Sequence, residues 1–364
     1  MPEPEPSDAF PTLSDLEEAA SKRLTDRIWA YVQGGSGEER TLRANRDAFL
    51  EWALRPRMLT GVASADTSTS LLGAAVRAPL FVSPMAYHAQ VHPEGELGVA
   101  RAALKSGWVA AYSTLSSFSI ERIAEASGGG PRWFQLYLQP DFEVSRRLVE
   151  RAERAGYSAL ILTVDTPVLG VRDRQARGGF AIDASVPIGN GADVVPPPRP
   201  PVAEGSLYRL RAEAGSTWEV LDRLRSVTRL PWIAKGVLTA EDARLAVQHG
   251  AKAILVSNHG GRQLDGVPAT LTVLPEIVEA VGSRVEVYLD GGVRRGTDVL
   301  IALALGAKAV GVGRPILWAL ATGGGEGVAN YMERLTTEFA TGLLLAGRRS
   351  LAGVDRSLVR RHDA

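Results

Sequence analysis

A histidine, two glycines and an arginine follow one another at 259–262, inside the run Ser257-Asn258-His259-Gly260-Gly261-Arg262-Gln263-Leu264-Asp265. A lone histidine is more often structural than catalytic. Here the two glycines leave the imidazole uncovered on one side, and the arginine comes three residues on. An imidazole accepts protons near neutral pH, and a guanidinium grips a carboxylate with two parallel hydrogen bonds. Such a pair suits the oxidation of a hydroxy acid: a base near the reacting carbon and a clamp for the acid group. The contrast histidines are His92, His249 and His362; His249 ends a helical stretch before Gly250 and reads as a C-terminal cap.

A second set of residues has the character of an anion site. Asp290-Gly291-Gly292-Val293-Arg294 and Gly311-Val312-Gly313-Arg314 both place glycines beside an arginine. Glycines let backbone N–H groups approach a phosphate, and the arginines supply charge-assisted bonds. Taken alone, either run reads as a turn.

The elements that must position these groups form a repeating pattern. From residue 76, short apolar or β-branched runs alternate with amphipathic helical stretches, as in a parallel sheet with crossover helices. Eight strands are predicted, at 80–83, 109–113, 133–137, 160–164, 232–235, 253–257, 287–290 and 309–312, with helices between them such as 141–155, 240–249 and 295–305. Eight β/α units over this length predict an α/β fold of the TIM (β/α)8 barrel type. Chemistry in such barrels sits where strands end, and seven of the eight strands end in polar or glycine-rich residues, which capping alone explains poorly.

Ahead of the barrel, Leu16, Ala20, Leu24, Ile28 and Val32 recur every four residues and predict a helix over 14–33, with a second helix over 38–49. The organisation read from these signals is an N-terminal helical segment at 1–75, a barrel at 76–350 and a C-terminal tail at 351–364. Between strands four and five lie about seventy residues, well above the usual connection. This long loop after strand four contains Pro196-Pro197-Pro198 and Pro200-Pro201 and reads as a lid over 170–217, or as an insert without a role.

Composition narrows the function. Apolar residues make up 45%, so a large core can form; Lys and Arg number 41, as do Asp and Glu. A neutral total predicts no nucleic-acid partner and no membrane surface. There is no cysteine, which removes disulfides, thiolate metal sites and cysteine nucleophiles and fits a cytoplasmic location. No metal site is predicted.

On these residues the chain resembles the FMN-dependent 2-hydroxy-acid oxidase and dehydrogenase family, which includes glycolate oxidase, lactate oxidase, mandelate dehydrogenase and hydroxymandelate oxidase. The resemblance runs from about Leu13 to Leu351 and is strongest at SNHGGRQLD, 257–265. It is supported by HPEGE at 92–96, TLSS at 114–117, FQLY at 134–137, LTVDTP at 162–167, KG at 235–236, LDGGVRRGTD at 289–298 and GRP at 313–315.

The resemblance implies roles. His259 is the base and Asp165 orients it; Tyr137 bonds the substrate hydroxyl; Arg262, Arg172 and Tyr31 hold the carboxylate. Lys235 lies beside the flavin of a bound FMN, and Pro84, Met85, Ala86, Ser116, Gln135, Thr163 and Ser257 line its ring. Asp290, Gly291, Gly292, Arg294, Gly313 and Arg314 hold its ribityl and phosphate. It also implies a homotetramer or homo-octamer. Membrane-bound relatives carry an apolar or basic segment between strands four and five; here that region is Pro- and Gly-rich without an apolar anchor, so oxygen or a soluble electron acceptor is expected.

Departures from the family's pattern concern the substrate. Gly261 stands where many members have alanine, a change expected to have little effect. Met85 replaces a common threonine, Phe118 replaces the tryptophan of glycolate oxidase, and 181–217 match poorly. Phe118 is expected to leave room above the flavin, and Tyr87 and Met85 to pack against a ring, so an aryl acid such as mandelate is expected; a lactate- or glycolate-sized substrate and a dehydrogenase with another acceptor stay open. Ala86, where a glycine goes with decarboxylating monooxygenases, points to an oxidase. An FMN-barrel isomerase would not need His259 and Arg262 together, and a non-catalytic flavin binder would be expected to lack His259, Lys235 or Tyr137.

Overall fold

The computed structural model describes residues 12–179, 186, 188–192, 194 and 217–362, so most of the expected lid lies outside the described residues. Eight parallel strands close into a barrel: β1 (Leu80–Val82), β2 (Val109–Ser113), β3 (Arg132–Leu136), β4 (Ala159–Thr163), β5 (Trp232–Val237), β6 (Ala253–Val256), β7 (Glu286–Asp290) and β8 (Ala309–Val312). Each neighbour pairs with the next, and β8 returns to β1 through Val310–Leu80 and Val312–Val82. The predicted strands 109–113 and 309–312 match, five others shift by one residue at one or both ends, and β5 runs two residues further than predicted, through Lys235 and Gly236 to Val237.

Alternation along the strands makes two cores. Phe81, Trp133, Ile161, Ile233, Leu255 and Tyr288 point inward and fill the barrel. Trp133 stacks on Tyr288 with centroids 5.5 Å apart, and Phe81 leans on both at 5.4 and 5.7 Å. Residues of opposite parity pack under the crossover helices. A hairpin of Thr69–Leu71 and Ala74–Val76 plugs one end: Leu71 and Val76 join the inner core, and the Leu72 amide donates to Glu286, the first residue of β7. The functional residues are thereby left the opposite end, where the strands finish.

The single helix predicted over 14–33 is two helices, Leu13–Arg23 and Asp26–Gln33. Leu24 and Thr25 are extended, and the Thr25 side chain accepts from the Ile28 amide, so a cap interrupts a periodicity that is otherwise continuous. A third helix, Arg40–Leu50, packs beside the loop after β6. The last helix, Arg314–Leu345, bends where Gly323 and Gly324 leave helical geometry. The strand Val359–Arg361 pairs antiparallel with Trp52–Leu54, so the C-terminal end is tied to the N-terminal segment.

Candidate active site

His259 follows β6 in a left-handed conformation, φ 59°, and its amide donates to the Ser257 hydroxyl. A residue with a Cβ rarely adopts this geometry, and it turns the imidazole toward the barrel mouth. Its Nδ1 lies 3.0 Å from Asp165 Oδ1, and its Nε2 is 3.4 Å from the Tyr137 hydroxyl. Burial holds His259 below the ordinary histidine range against the opposing charge of Asp165, with the Lys235 ammonium lowering it further. Burial raises Asp165, but the charges of His259 and Lys235 and hydrogen bonds from His259 and Thr166 more than offset it, so the carboxylate stays ionised. The result is a neutral imidazole with Nδ1–H donating to Asp165 and Nε2 left as a base. Tyr137 is raised by burial and then by Asp165, so it keeps its proton.

Four guanidiniums converge beside this pair. Arg262 Nη1 donates to the carbonyls of Tyr31 and Gly34, both at 2.7 Å, and the group sits over the Tyr31 ring at 5.0 Å. Arg314 donates to the carbonyls of Val32, Gly34 and Gly260. Arg294 donates to its neighbour's carbonyl and lies over Trp318. Arg172 donates to the Arg262 carbonyl at 3.0 Å and to Gln263 Oε1 at 3.2 Å. None of the four makes an ion pair with a carboxylate among the described residues. Burial, and then the neighbouring arginines, push Arg172 and Arg314 down. A guanidinium does not give up its proton at neutral pH, so the cost of gathering these charges is relieved by an anion.

A cavity of about 380 Å³ opens between these groups, within the roughly 300–1,000 Å³ of small-molecule and cofactor sites. Its walls include Pro84, Met85, Ala86, Tyr31, Tyr137, Arg172, Lys235, His259 and Arg262. Asp290, Gly291, Gly292, Arg294, Gly313 and Arg314 complete it. Ser116, Gln135, Thr163 and Ser257 do not face it. The Ser113 hydroxyl donates to Gln135, whose amide donates to Thr163, and Ser116 donates to the Ser113 carbonyl. Two serines line the cavity instead, Ser83 and Ser113, and neither carried an expected role.

Two other expectations meet a different geometry. Phe118 is not in the wall: Arg122 covers its ring and the ring edge abuts Gly95, so it gives the cavity no extra room. Gly261, φ 75°, is not a neutral replacement for alanine, because a Cβ there would lie 2.6 Å from the Leu42 amide nitrogen.

Sequence reasoning also missed what locks the loop after β6. Asn45 and Asn258, both buried, exchange two hydrogen bonds of 2.8 Å, and Asn258 Oδ1 also accepts from the Gly261 amide. An asparagine in a polar helix carries no signal that it is half of a buried pair.

These residues fit FMN. The arginine end needs a phosphate, the buried Asp290 Oδ1 lacks a donor and suits a ribityl hydroxyl, and the buried Lys235 lines the same cavity. Fold and site together define a flavin-dependent (β/α)8 oxidoreductase. The sequence matches the model of the FMN-dependent dehydrogenase family over residues 20–361, and the chain belongs to that family.

It is 46% identical to human (Homo sapiens) 2-hydroxyacid oxidase 1 over 356 residues, covering 96% of each chain. It is 44% identical to the L-lactate oxidase of Nostoc sp. over 357 residues, covering 95% of this chain and 97% of that one. Its fold superposes with a TM-score of 0.88 on a mandelate oxidase variant solved with (S)-mandelic acid, at 43% identity and covering 97% and 99% of the two chains. The chain is an FMN-dependent 2-hydroxy-acid oxidase. No helix of the described residues is long and apolar enough to cross a membrane.

Proposed function

We propose that this enzyme oxidises an aryl (S)-2-hydroxy acid of the mandelate type to the 2-oxo acid, with oxygen as acceptor and hydrogen peroxide as the second product. The reading rests on one observation: a neutral, carboxylate-backed imidazole stands in the same cavity as two arginines, Arg172 and Arg262, that make no ion pair with a carboxylate among the described residues. Arg262 and Arg172 bind the substrate carboxylate, and Tyr31, beneath the Arg262 guanidinium, closes that end. His259 Nε2 takes a proton from the substrate, and Asp165 stabilises the imidazolium so formed. Tyr137, 3.4 Å from Nε2, donates to the substrate oxygen as it becomes the oxo group. FMN, bound along Lys235, Asp290, Arg294 and Arg314, supplies two-electron redox chemistry. The Lys235 ammonium stabilises negative charge beside it.

Support for an aryl group comes from the wall beyond His259. Tyr31 and Tyr87 hold their rings 6.3 Å apart, with Met85 and Leu169 in the same cavity, surfaces suited to a ring. The superposition on a mandelate oxidase points the same way. The test is anaerobic addition of a panel of 2-hydroxy acids while flavin absorbance is followed. (S)-Mandelate should give a higher kcat/KM than glycolate, since even one methylene is worth roughly 1–3 kcal/mol in an apolar pocket. Equal or better turnover of glycolate would defeat the aryl reading. Benzoylformate should be the product; benzoate as main product would show decarboxylation in the site and overturn the role given to Ala86.

A further inference from the structure

The side chain of Gln263, buried directly after Arg262, makes four hydrogen bonds, and all four run to the segment that follows β4. Its Nε2 donates to the carbonyls of Asp165 and Val168, both at 2.8 Å. Its Oε1 accepts from the Gly170 amide at 3.1 Å and from Arg172 Nη2 at 3.2 Å. A primary amide has two donors and two principal acceptor sites, so this one is saturated, and no exchange of its N and O would satisfy these four partners.

The chain is drawn unusually close here. A Cβ on Gly170 would lie 2.5 Å from the Gln263 carbonyl oxygen and 2.7 Å from that of Arg262, so only glycine lets the two segments meet. Three bonds extend the junction. Arg172 Nε donates to the Arg262 carbonyl, the Gly37 amide to Val171 and the Ser36 amide to Gly261.

We propose that Gln263 is a positioning residue for catalysis: its amide sets the distance between the loop carrying His259 and Arg262 and the segment carrying Asp165 and Arg172. The proposal rests on the roles given above to Asp165 and Arg172. Gln263 itself does not line the cavity, so it acts through both partners. One end fixes the Asp165 backbone, hence the carboxylate 3.0 Å from His259. The other end takes one Arg172 N–H and the Arg262 carbonyl takes the Nε–H, so the remaining Nη donors are left for a carboxylate. Pre-set geometry of this kind lowers the ordering cost of binding and reaction.

The test uses FMN-loaded Gln263→Met, which keeps length and volume and removes every bond. Two readouts are taken: the Kd of benzoylformate by flavin difference absorbance, and the rate of anaerobic flavin reduction at saturating (S)-mandelate. Both should change, the Kd rising and the rate falling by about tenfold to a hundredfold, the scale of a lost hydrogen bond or two to a charged group. A merely structural role would lower the thermal midpoint and leave both within about twofold, and that result overturns the proposal.

Gln263→Glu serves if the first variant does not fold. It retains acceptors for Gly170 and Arg172 but sets a carboxylate against two carbonyls. The reduction rate should fall while benzoylformate affinity holds; an unchanged rate would again overturn the proposal. Arg172→Met separates the two levels of argument. If it leaves benzoylformate binding intact, the role given to Arg172 fails; if it weakens binding while the Gln263 variants behave as wild type, only the positioning role fails.

Discussion

At the scale of single residues, His259 is prepared as a base by opposing influences. Burial and Lys235 disfavour its cationic form at rest, and Asp165 favours it once a proton arrives. The sign for activity follows. A histidine held below the ordinary 6.5 is neutral at pH 7, so kcat/KM should stay level from neutral pH downward and fall only below about pH 6.5, as the imidazole protonates. An acid limb centred above pH 7 would contradict this environment. His259→Ala should retain FMN and be reduced more slowly by about 10²–10⁴-fold, the usual worth of a general base, and near-native reduction would remove His259 from the mechanism. His259 and Arg262 were legible because they sit three residues apart in one loop. Gln263, one residue further, was not, because an amide has no chemistry of its own and its partners lie over ninety residues away. Phe118 misled for a related reason: a position says nothing about which way a ring turns.

At the scale of elements, the loop after β6 is held by the helix Arg40–Leu50 as much as by its own strand. The Asn45–Asn258 exchange fixes its start, and Leu42 packs against the Gly261 backbone. Gly261→Ala therefore tests how tightly the helix is docked. Alanine at φ 75° costs about 1–2 kcal/mol, and the contact with Leu42 adds overpacking of similar size. The FMN-loaded variant should unfold at a lower temperature than wild type at the same scan rate. An unchanged midpoint would mean that the helix moves aside at no cost. The barrel strands could be read from sequence because each is a short apolar run ending in polar residues. The break at Thr25 could not, because the apolar period of four runs through it and only the cap bond reveals the interruption. The two short strand pairs outside the barrel were also unseen: Trp52–Leu54 and Val359–Arg361 are only three residues each, too short for alternation to show, and they are brought together by the fold.

At the scale of the whole molecule, the cofactor end of the cavity is a store of unbalanced charge. The side chains of Arg294 and Arg314 are half-buried, close enough to neighbouring arginines to be repelled by them, and bonded within the described residues only to carbonyl groups. The cofactor-free protein must carry that repulsion, and a bound phosphate removes it. FMN should therefore raise the thermal midpoint in a concentration-dependent way, worth about 2.7 kcal/mol at a hundred times its Kd. The chemistry of the site also orders three ligands. Riboflavin offers the ring without the anion, inorganic phosphate the anion without the ring, and FMN both. Thermal unfolding of deflavinated protein with each should rank FMN well above either part, with phosphate giving a measurable shift that chloride at equal ionic strength does not reproduce. Arg314→Met should lose the phosphate shift and narrow the gap between FMN and riboflavin. If riboflavin stabilised the wild type as strongly as FMN, the arginine end of the cavity would not be the phosphate site, and the placement of the cofactor along Asp290, Arg294 and Arg314 would have to be abandoned.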